Sequence, residues 1–211
     1  MIEPRLIHRT DDWLVVDKPA GMHSVARGGD DVNTVQGWLS GIDPVQATLE
    51  ESGLVHRLDL GTSGCLLVAR SAEAREDLRG RMRGNTIRKR YVALVEGHLP
   101  AEGSFELYFT SRYKRSRKIT ARASGDPRDR GRCSWWTIDR LGNRRLLGIE
   151  LEGGGRRHQI RAGMAHLGAP LLGDALYGGG RWSDDRPALH AAGLLLDGHE
   201  IESPLPFGLN S

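Results

Sequence analysis

The sequence predicts a mixed α/β (α+β) chain built on a central, largely antiparallel sheet with flanking helices. Three observations carry this reading. Short apolar runs of strand length outnumber stretches with helical periodicity, and several of those runs end at turns rich in Gly or Pro. No internal repeat or low-complexity tract interrupts the pattern. A hydrophobic fraction of 38% and a charged fraction of 27% argue against disorder, and 211 residues fit one domain spanning 1–211 better than two.

The elements follow in order. Trp13-Leu-Val-Val16 reads as a short strand closed by the turn Lys18-Pro-Ala-Gly21. Between 22 and 53 the pattern gives loop and one modest helix around 34–39. Gly53-Leu-Val-His-Arg-Leu-Asp59 reads as an apolar strand ending in a carboxylate, then the polar turn Gly61-Thr-Ser-Gly64, then Cys65-Leu-Leu-Val-Ala69, a run apolar enough for burial on both faces. Ser71 caps a helix whose Ala74, Leu78 and Met82 form an i, i+4, i+8 stripe, with Arg75, Arg79, Arg81 and Arg83 largely off it. Tyr91-Val-Ala-Leu-Val95 and Leu146-Leu-Gly-Ile-Glu-Leu151 are further strands, the second ended by Gly153-Gly-Gly155. After the glycines, Ile160, Met164 and Leu167 share one helical face and Arg157 and Arg161 another, which predicts an amphipathic helix with a basic edge. Ala188-Leu-His-Ala-Ala-Gly-Leu-Leu-Leu196 is a late buried strand, and Pro204-Leu-Pro206 closes the pattern.

Composition narrows the setting. No apolar stretch approaches the roughly 20 residues a transmembrane helix needs, and the first dozen residues lack a signal-peptide core, so a cytoplasmic protein without a membrane partner is expected. Cys65 and Cys133 have no metal-knuckle spacing and read as reduced thiols. Net charge is only +3, yet nine Lys/Arg stand against two Asp between Arg112 and Arg132, with Tyr113 inside the run and Trp135 and Trp136 just beyond it. Such a run is either a solvated loop or a surface for a polyanion, and the aromatic company favours RNA.

Asp59 stands out among the carboxylates. It follows Arg57 by two positions and precedes a Gly-Thr-Ser-Gly turn whose backbone can approach a ligand closely. Spacing alone leaves two roles open, a turn-former bonding its own backbone or a reactive carboxylate.

Motifs separate them. His56-Arg-Leu-Asp59 followed by Thr62-Ser-Gly64 resembles the H-R-L-D, two variable residues, T-S-G motif of the RluA-type pseudouridine synthases. Lys89-Arg-Tyr91 resembles their K-x-Y, and Gly155-Arg-Arg-His-Gln-Ile-Arg161 their G-R-x-H-Q-[IL]-R, with Leu167-Gly-Ala-Pro-Leu-Leu-Gly-Asp174 and Tyr177-Gly178 following in order. The likeness is collinear from about Trp13 to Pro206, including Trp13-Leu-Val-Val-Asp-Lys-Pro-Ala-Gly21. Leu60-Gly61 departs from a pair often charged in the family, and Gly154 and Arg157 from positions often threonine, departures that bear on substrate preference more than on reaction type.

The resemblance implies the pseudouridine synthase fold with a central catalytic cleft, and an isomerase acting on uridines of structured ribosomal or transfer RNA. It makes Asp59 the nucleophile or charge stabiliser at the sugar and Arg161 the guanidinium that keeps it ionised and oriented. Tyr91 lies over the uracil, and Arg57 enters the RNA when the nucleotide leaves its stack. His56, Thr62, Ser63, Gly64, Lys89, His158, Gln159 and Ile160 complete the substrate-binding set. No cofactor or metal is expected, because the reaction has no redox step and needs no Lewis acid. No S4-type RNA-binding domain is expected before the first strand, so affinity is expected from the catalytic domain itself, through the arginine helix at 71–83 and the segment 112–132. A monomer without an obligate protein partner is expected. Two rival readings are a catalytically inactive RNA-binding module or chaperone, and a nucleoside hydrolase. Intact Asp59, Tyr91 and Arg161 count against the first, and the lack of a second motif carboxylate against the other.

Overall fold

The computed structural model describes residues 3–26, 33–113, 116–182 and 185–208. Along them run β1 (Arg5–Arg9), β2 (Trp13–Lys18), α1 (Val35–Ile42), α2 (Pro44–Thr48), β3 (Ser63–Ala69), α3 (Ala72–Arg83) and β4 (Arg88–Glu96). They continue with β5 (Glu102–Thr110), β6 (Thr120–Arg122), β7 (Arg130–Leu141), β8 (Arg144–Leu151), α4 (Gln159–His166), β9 (Leu189–Leu196) and β10 (His199–Glu202). The mixed α/β, mainly antiparallel character predicted from the sequence is present. The chain forms two compact units, Met1–Arg88 with Ala191–Pro204, and Lys89–His190 with Leu205–Ser211.

In the first unit the strands lie in the order β1-β2-β3-β9, with β10 paired to β9. β2 runs antiparallel to β3 from Trp13 opposite Ala69 to Lys18 opposite Gly64. All seven residues of β3 are buried, as its unbroken apolar run requires. Val15, Cys65, Leu67 and Ala69 pack with Leu78 and Met82 of α3 and with Leu194 and Leu196 of β9. Ser71 Oγ accepts the Ala74 N–H at 3.0 Å and caps α3 as predicted.

Besides α2 and β10, which the sequence reading did not give, three features of this unit depart from it. β1 is an exposed edge strand whose polar, non-alternating RLIHR gives no strand signal, and Arg5 ties it to Asp17 at 2.8 Å. The apolar residues of 53–59 are buried, but only Leu54 makes an isolated bridge, to Val68, so the segment is an irregular loop and not a strand. Arg75 is buried at 7% exposure, because Glu50 and Glu51 (2.5 and 3.1 Å) and the Leu54 carbonyl (3.0 Å) take its guanidinium.

The second unit orders its strands β4-β8-β7-β5-β6. β4 pairs with β8 from Lys89 opposite Leu151 to Glu96 opposite Arg144, and β7 pairs with β8 through a bulge between Thr137 and Asp139. Leu94, Leu146, Leu172, Trp182, Ala188 and Phe207 form a core cluster. α4 is buried from Gln159 to Met164, so the expected basic edge does not exist: Arg161 is turned inward while Arg157 remains outside the helix and exposed. A Cβ on Gly163 would collide with the edge of the Phe105 ring, and its absence lets β5 press against this helix.

Much of the basic run 112–132 is ordered structure and not open loop. It holds β6, a short 3₁₀ turn at Pro127–Asp129 and the start of β7, while Lys114 and Arg115 lie outside the described residues. Arg128 bonds Asp126 at 2.6 Å, and Arg132 and Arg130 meet Glu106 of β5. Pairing across strands brings in an acid that a count along the sequence window does not include.

Candidate active site

Asp59 sits half-buried on a loop that is not regular structure, so its position depends on side chains fastening the backbone around it. Lys18, with no exposed surface, donates from Nζ to the carbonyls of Pro19 (2.9 Å) and Met22 (2.8 Å), and reaches Leu60 O at 3.4 Å. The Gly21 N–H reaches the same Leu60 carbonyl at 2.8 Å. Ser24 Oγ accepts the Leu58 N–H and donates to the Leu58 carbonyl, both at 3.0 Å. His56 Nε2 accepts the Leu67 N–H of β3 at 3.1 Å, which requires that ring nitrogen to be unprotonated. The Thr62 N–H returns to the Asp59 carbonyl at 3.0 Å and closes a tight turn.

Burial alternates through the motif. Leu58 points inward, Arg57 and Leu60 are exposed, and Thr62 and Ser63 are buried. The close backbone approach expected at the Gly-Thr-Ser-Gly turn is made here to another strand: Gly64 has φ +106°, and a Cβ there would collide with the Ala191 carbonyl of β9.

In the second unit, β4 carries Lys89 and Tyr91, both nearly buried, opposite Leu151 and Ile149 of β8. Lys89 Nζ bonds the Gly153 carbonyl and so fastens the glycine loop that leads to α4. Burial pulls its pKa down to about 8, while burial pushes the Cys133 thiol up to about 12. Gln159 holds the same approach from the other side: its Nε2 donates to Arg132 O, and its Oε1 accepts the Arg156 N–H, both at 2.8 Å.

Arg161 is 9% exposed and forks onto Asp174, itself 1% exposed, through Nε–Oδ2 at 2.7 Å and Nη2–Oδ1 at 2.8 Å. Two of its five N–H donors are committed to this bidentate pair, which fixes the plane of the guanidinium. Its Cζ lies 5.3 Å from the centre of the Tyr177 ring. His158 adopts φ +55° at the start of α4, and its Nδ1 lies 2.9 Å from Tyr177 Oη.

The predicted residues thus fall into two groups. His56, Arg57, Asp59, Thr62, Ser63 and Gly64 share one fastened turn of the first unit, and Lys89, Tyr91, His158, Gln159, Ile160 and Arg161 gather on β4 and α4 of the second. Sequence reasoning gave no role to Asp174, Tyr177 or Lys18. Asp174 and Tyr177 stood in the motif that follows Arg161, and Lys18 in the Lys-Pro-Ala-Gly turn, but a contact across a loop leaves no periodic trace.

Residues 12–166 match a family model described as RNA pseudouridylate synthase. The chain belongs to the RNA pseudouridylate synthase family. All three motifs around Asp59, Tyr91 and Arg161 lie inside the matched span, whereas Asp174 and Tyr177 lie beyond it. Within this family, the chain is 35% identical over 176 residues to a ribosomal large subunit pseudouridine synthase D of Xanthomonas campestris, covering 82% of this chain and 51% of that one. Its identity to the protein of the same name from Nitrosomonas europaea is 32%, covering 96% and 62%. An uncharacterized RNA pseudouridine synthase of Mycobacterium bovis is 34% identical, covering 97% and 70%. The chain therefore spans 51% to 62% of the length of the two large-subunit synthases. These relatives bear out the RluA-type resemblance read from the motifs. Among solved structures, human RNA pseudouridylate synthase domain containing 4 superposes with TM-score 0.74 at 17% identity, covering 95% of this chain and 88% of its own. Human domain containing 1 gives 0.73 at 24% identity, covering 99% and 86%, and both likenesses concern the pseudouridylate synthase fold alone.

Proposed function

We propose that this chain is an RNA pseudouridine synthase that isomerises uridine within structured RNA. Family membership across residues 12–166 is the observation that carries the reading. The names of two relatives, large-subunit synthases, favour ribosomal over transfer RNA as the substrate. The reaction breaks the N1–C1′ bond, turns the uracil, forms C5–C1′ and removes the C5 proton, so no atom enters or leaves except that exchanging proton.

Asp59 attacks or stabilises the centre from which uracil departs, and the fastened loop supports this by holding the carboxylate without a regular ladder. Arg161, its plane set by Asp174, supplies fixed positive charge to the substrate. Tyr91 covers the uracil and takes the C5 proton or positions the group that does. Arg57, the exposed neighbour of Asp59, occupies the space left in the RNA by the extruded nucleotide. The remaining motif residues, His56, Thr62, Ser63, Gly64, Lys89, His158, Gln159 and Ile160, bind substrate or hold the backbones that do. The protein works as a monomer in the cytoplasm; among the described residues no helix is long and apolar enough to cross a membrane.

Asp59→Asn tests this reading. The amide keeps size and most hydrogen bonding but removes the charge, so a turn-former is nearly preserved and a nucleophile is lost. Tritium release from C5-labelled uridine in RNA is expected to fall by several orders of magnitude while RNA affinity and Tm stay near the parent's. Retention of more than about a tenth of the rate, a loss under about 1.4 kcal/mol, removes Asp59 from the chemistry and favours the binding-module reading.

A further inference from the structure

Tyr177 joins the turn at 116–119 to the arginine of α4. Its hydroxyl accepts the Ile119 N–H at 2.9 Å and lies 2.9 Å from His158 Nδ1. Its ring lies 5.3 Å below the Arg161 guanidinium and 5.3 Å from the Lys118 ammonium, close enough for both cations to be drawn to the π face. The ring is 8% exposed and follows Asp174 by a single 3₁₀ turn, so the residue holding Arg161 by its carboxylate and the residue holding it by its ring belong to one short piece of chain. A second tie reaches the same turn, since Arg157 Nη2 donates to the Ser116 carbonyl at 2.5 Å. Arg117 and Lys118 themselves face solvent.

We infer that Tyr177 is a positioning residue that locks Arg161 to the basic turn at 116–119, so that phosphates of a bound RNA taken up by Arg117 and Lys118 set the placement of the arginine. The inference rests on the proposed synthase activity and deepens it: RNA far from the reacting base contributes to rate and not only to affinity. The hydroxyl meets His158 Nδ1 on one side and accepts the Ile119 amide on the other, so it contacts both segments at once. A displacement of about 1 Å in a positioned catalytic group can cost about a hundredfold in rate, so a tie of this kind has leverage.

Single-turnover rates at saturating structured RNA, followed by tritium release, and affinities by filter binding are compared for four proteins. They are the parent, Tyr177→Phe, the pair Arg117→Gln with Lys118→Gln, and all three substitutions together. Tyr177→Phe keeps the ring under both cations and removes only Oη. Its rate is expected to fall about tenfold, with Kd within about twofold and Tm within about 3 °C of the parent, a split that a merely structural loss does not produce. The surface pair is expected to weaken affinity in either background. It should slow the saturated rate about threefold in the parent and not at all once Oη is gone. Fold-changes in rate that simply multiply overturn the coupling, as does Tyr177→Phe at parental rate. Should the Phe protein misfold, the surface pair decides: a parental rate at saturation means that the turn only holds RNA, and the inference falls. Inactivity of the parent on every RNA offered overturns the synthase reading along with it, whereas an active parent matched by Tyr177→Phe overturns the coupling alone.

Discussion

Gly64 carries two constraints at once. Its φ of +106° disfavours any side chain, and the Ala191 carbonyl occupies the place a Cβ would take. Gly64→Ala is therefore expected to destabilise the protein by on the order of 3 kcal/mol, measured by urea denaturation. A loss below about 1 kcal/mol would mean that β9 retreats to make room. The glycine was legible in the sequence as a place of close approach, but its neighbour was not, because Ala191 comes from the far end of the chain. The same holds for Lys18 and Ser24, whose types suit surfaces and turns, yet which lie buried and bonded to backbone beside Asp59. Asp59, Tyr91 and Arg161 were legible only through motifs, since nothing in residue type or periodicity separates a reactive carboxylate from a turn-former.

Elements with a clean hydrophobic signature were readable to within a few residues: β2, β3, β4, β8, β9 and the capped α3. Those that failed are edge or strongly charged strands, β1, β5, β6, β7 and β10, where an exposed face or cross-strand ion pairs replace the apolar alternation a reader looks for. α3 shows the converse, a correct helix with a wrong surface. Arg81 bonds Asp197 at 2.7 Å and Arg83 bonds Glu76 at 3.1 Å, while Arg75 is buried among acids. Replacing Arg81 and Arg83 by Gln should accordingly leave RNA affinity within about twofold of the parent in filter binding. A tenfold loss would restore the helix as an RNA contact. β4 carries a pH signature. Lys89 is held near pKa 8 by burial against an ordinary value of 10.5, so between those limits the unfolded chain binds more protons and the group's contribution to stability rises with pH. Compared with Lys89→Met, the parent should gain on the order of 2 to 3 kcal/mol between pH 7 and pH 10.5 in paired urea melts. Both proteins share the opposing effect of Cys65, whose pKa near 12 withdraws stability above about pH 9, while Cys133 is coupled to Lys89 by charge and its contribution differs between them.

At the scale of the whole molecule, net charge of +3 says little about RNA, because many of the arginines are spent on acids within the fold. Salt dependence is the better measure. Neutralising Arg117 and Lys118 should reduce the slope of log Kd against log salt by roughly 1.4 to 1.8, the share of two phosphate contacts, and an unchanged slope would show that they meet no phosphate. The chain's route through its two units has a separate consequence during synthesis. Residues 89–190 are contiguous, whereas the sheet of the first unit needs β9 and β10, made only after that whole stretch. A ribosome moving at about 5 to 20 residues per second leaves β3 without β9, one of its two neighbouring strands, for on the order of ten seconds, an apolar edge within reach of any chaperone at the exit tunnel. Nascent chains arrested before Ala191 emerges should resist protease across most of 89–190 while the N-terminal stretch is still cut.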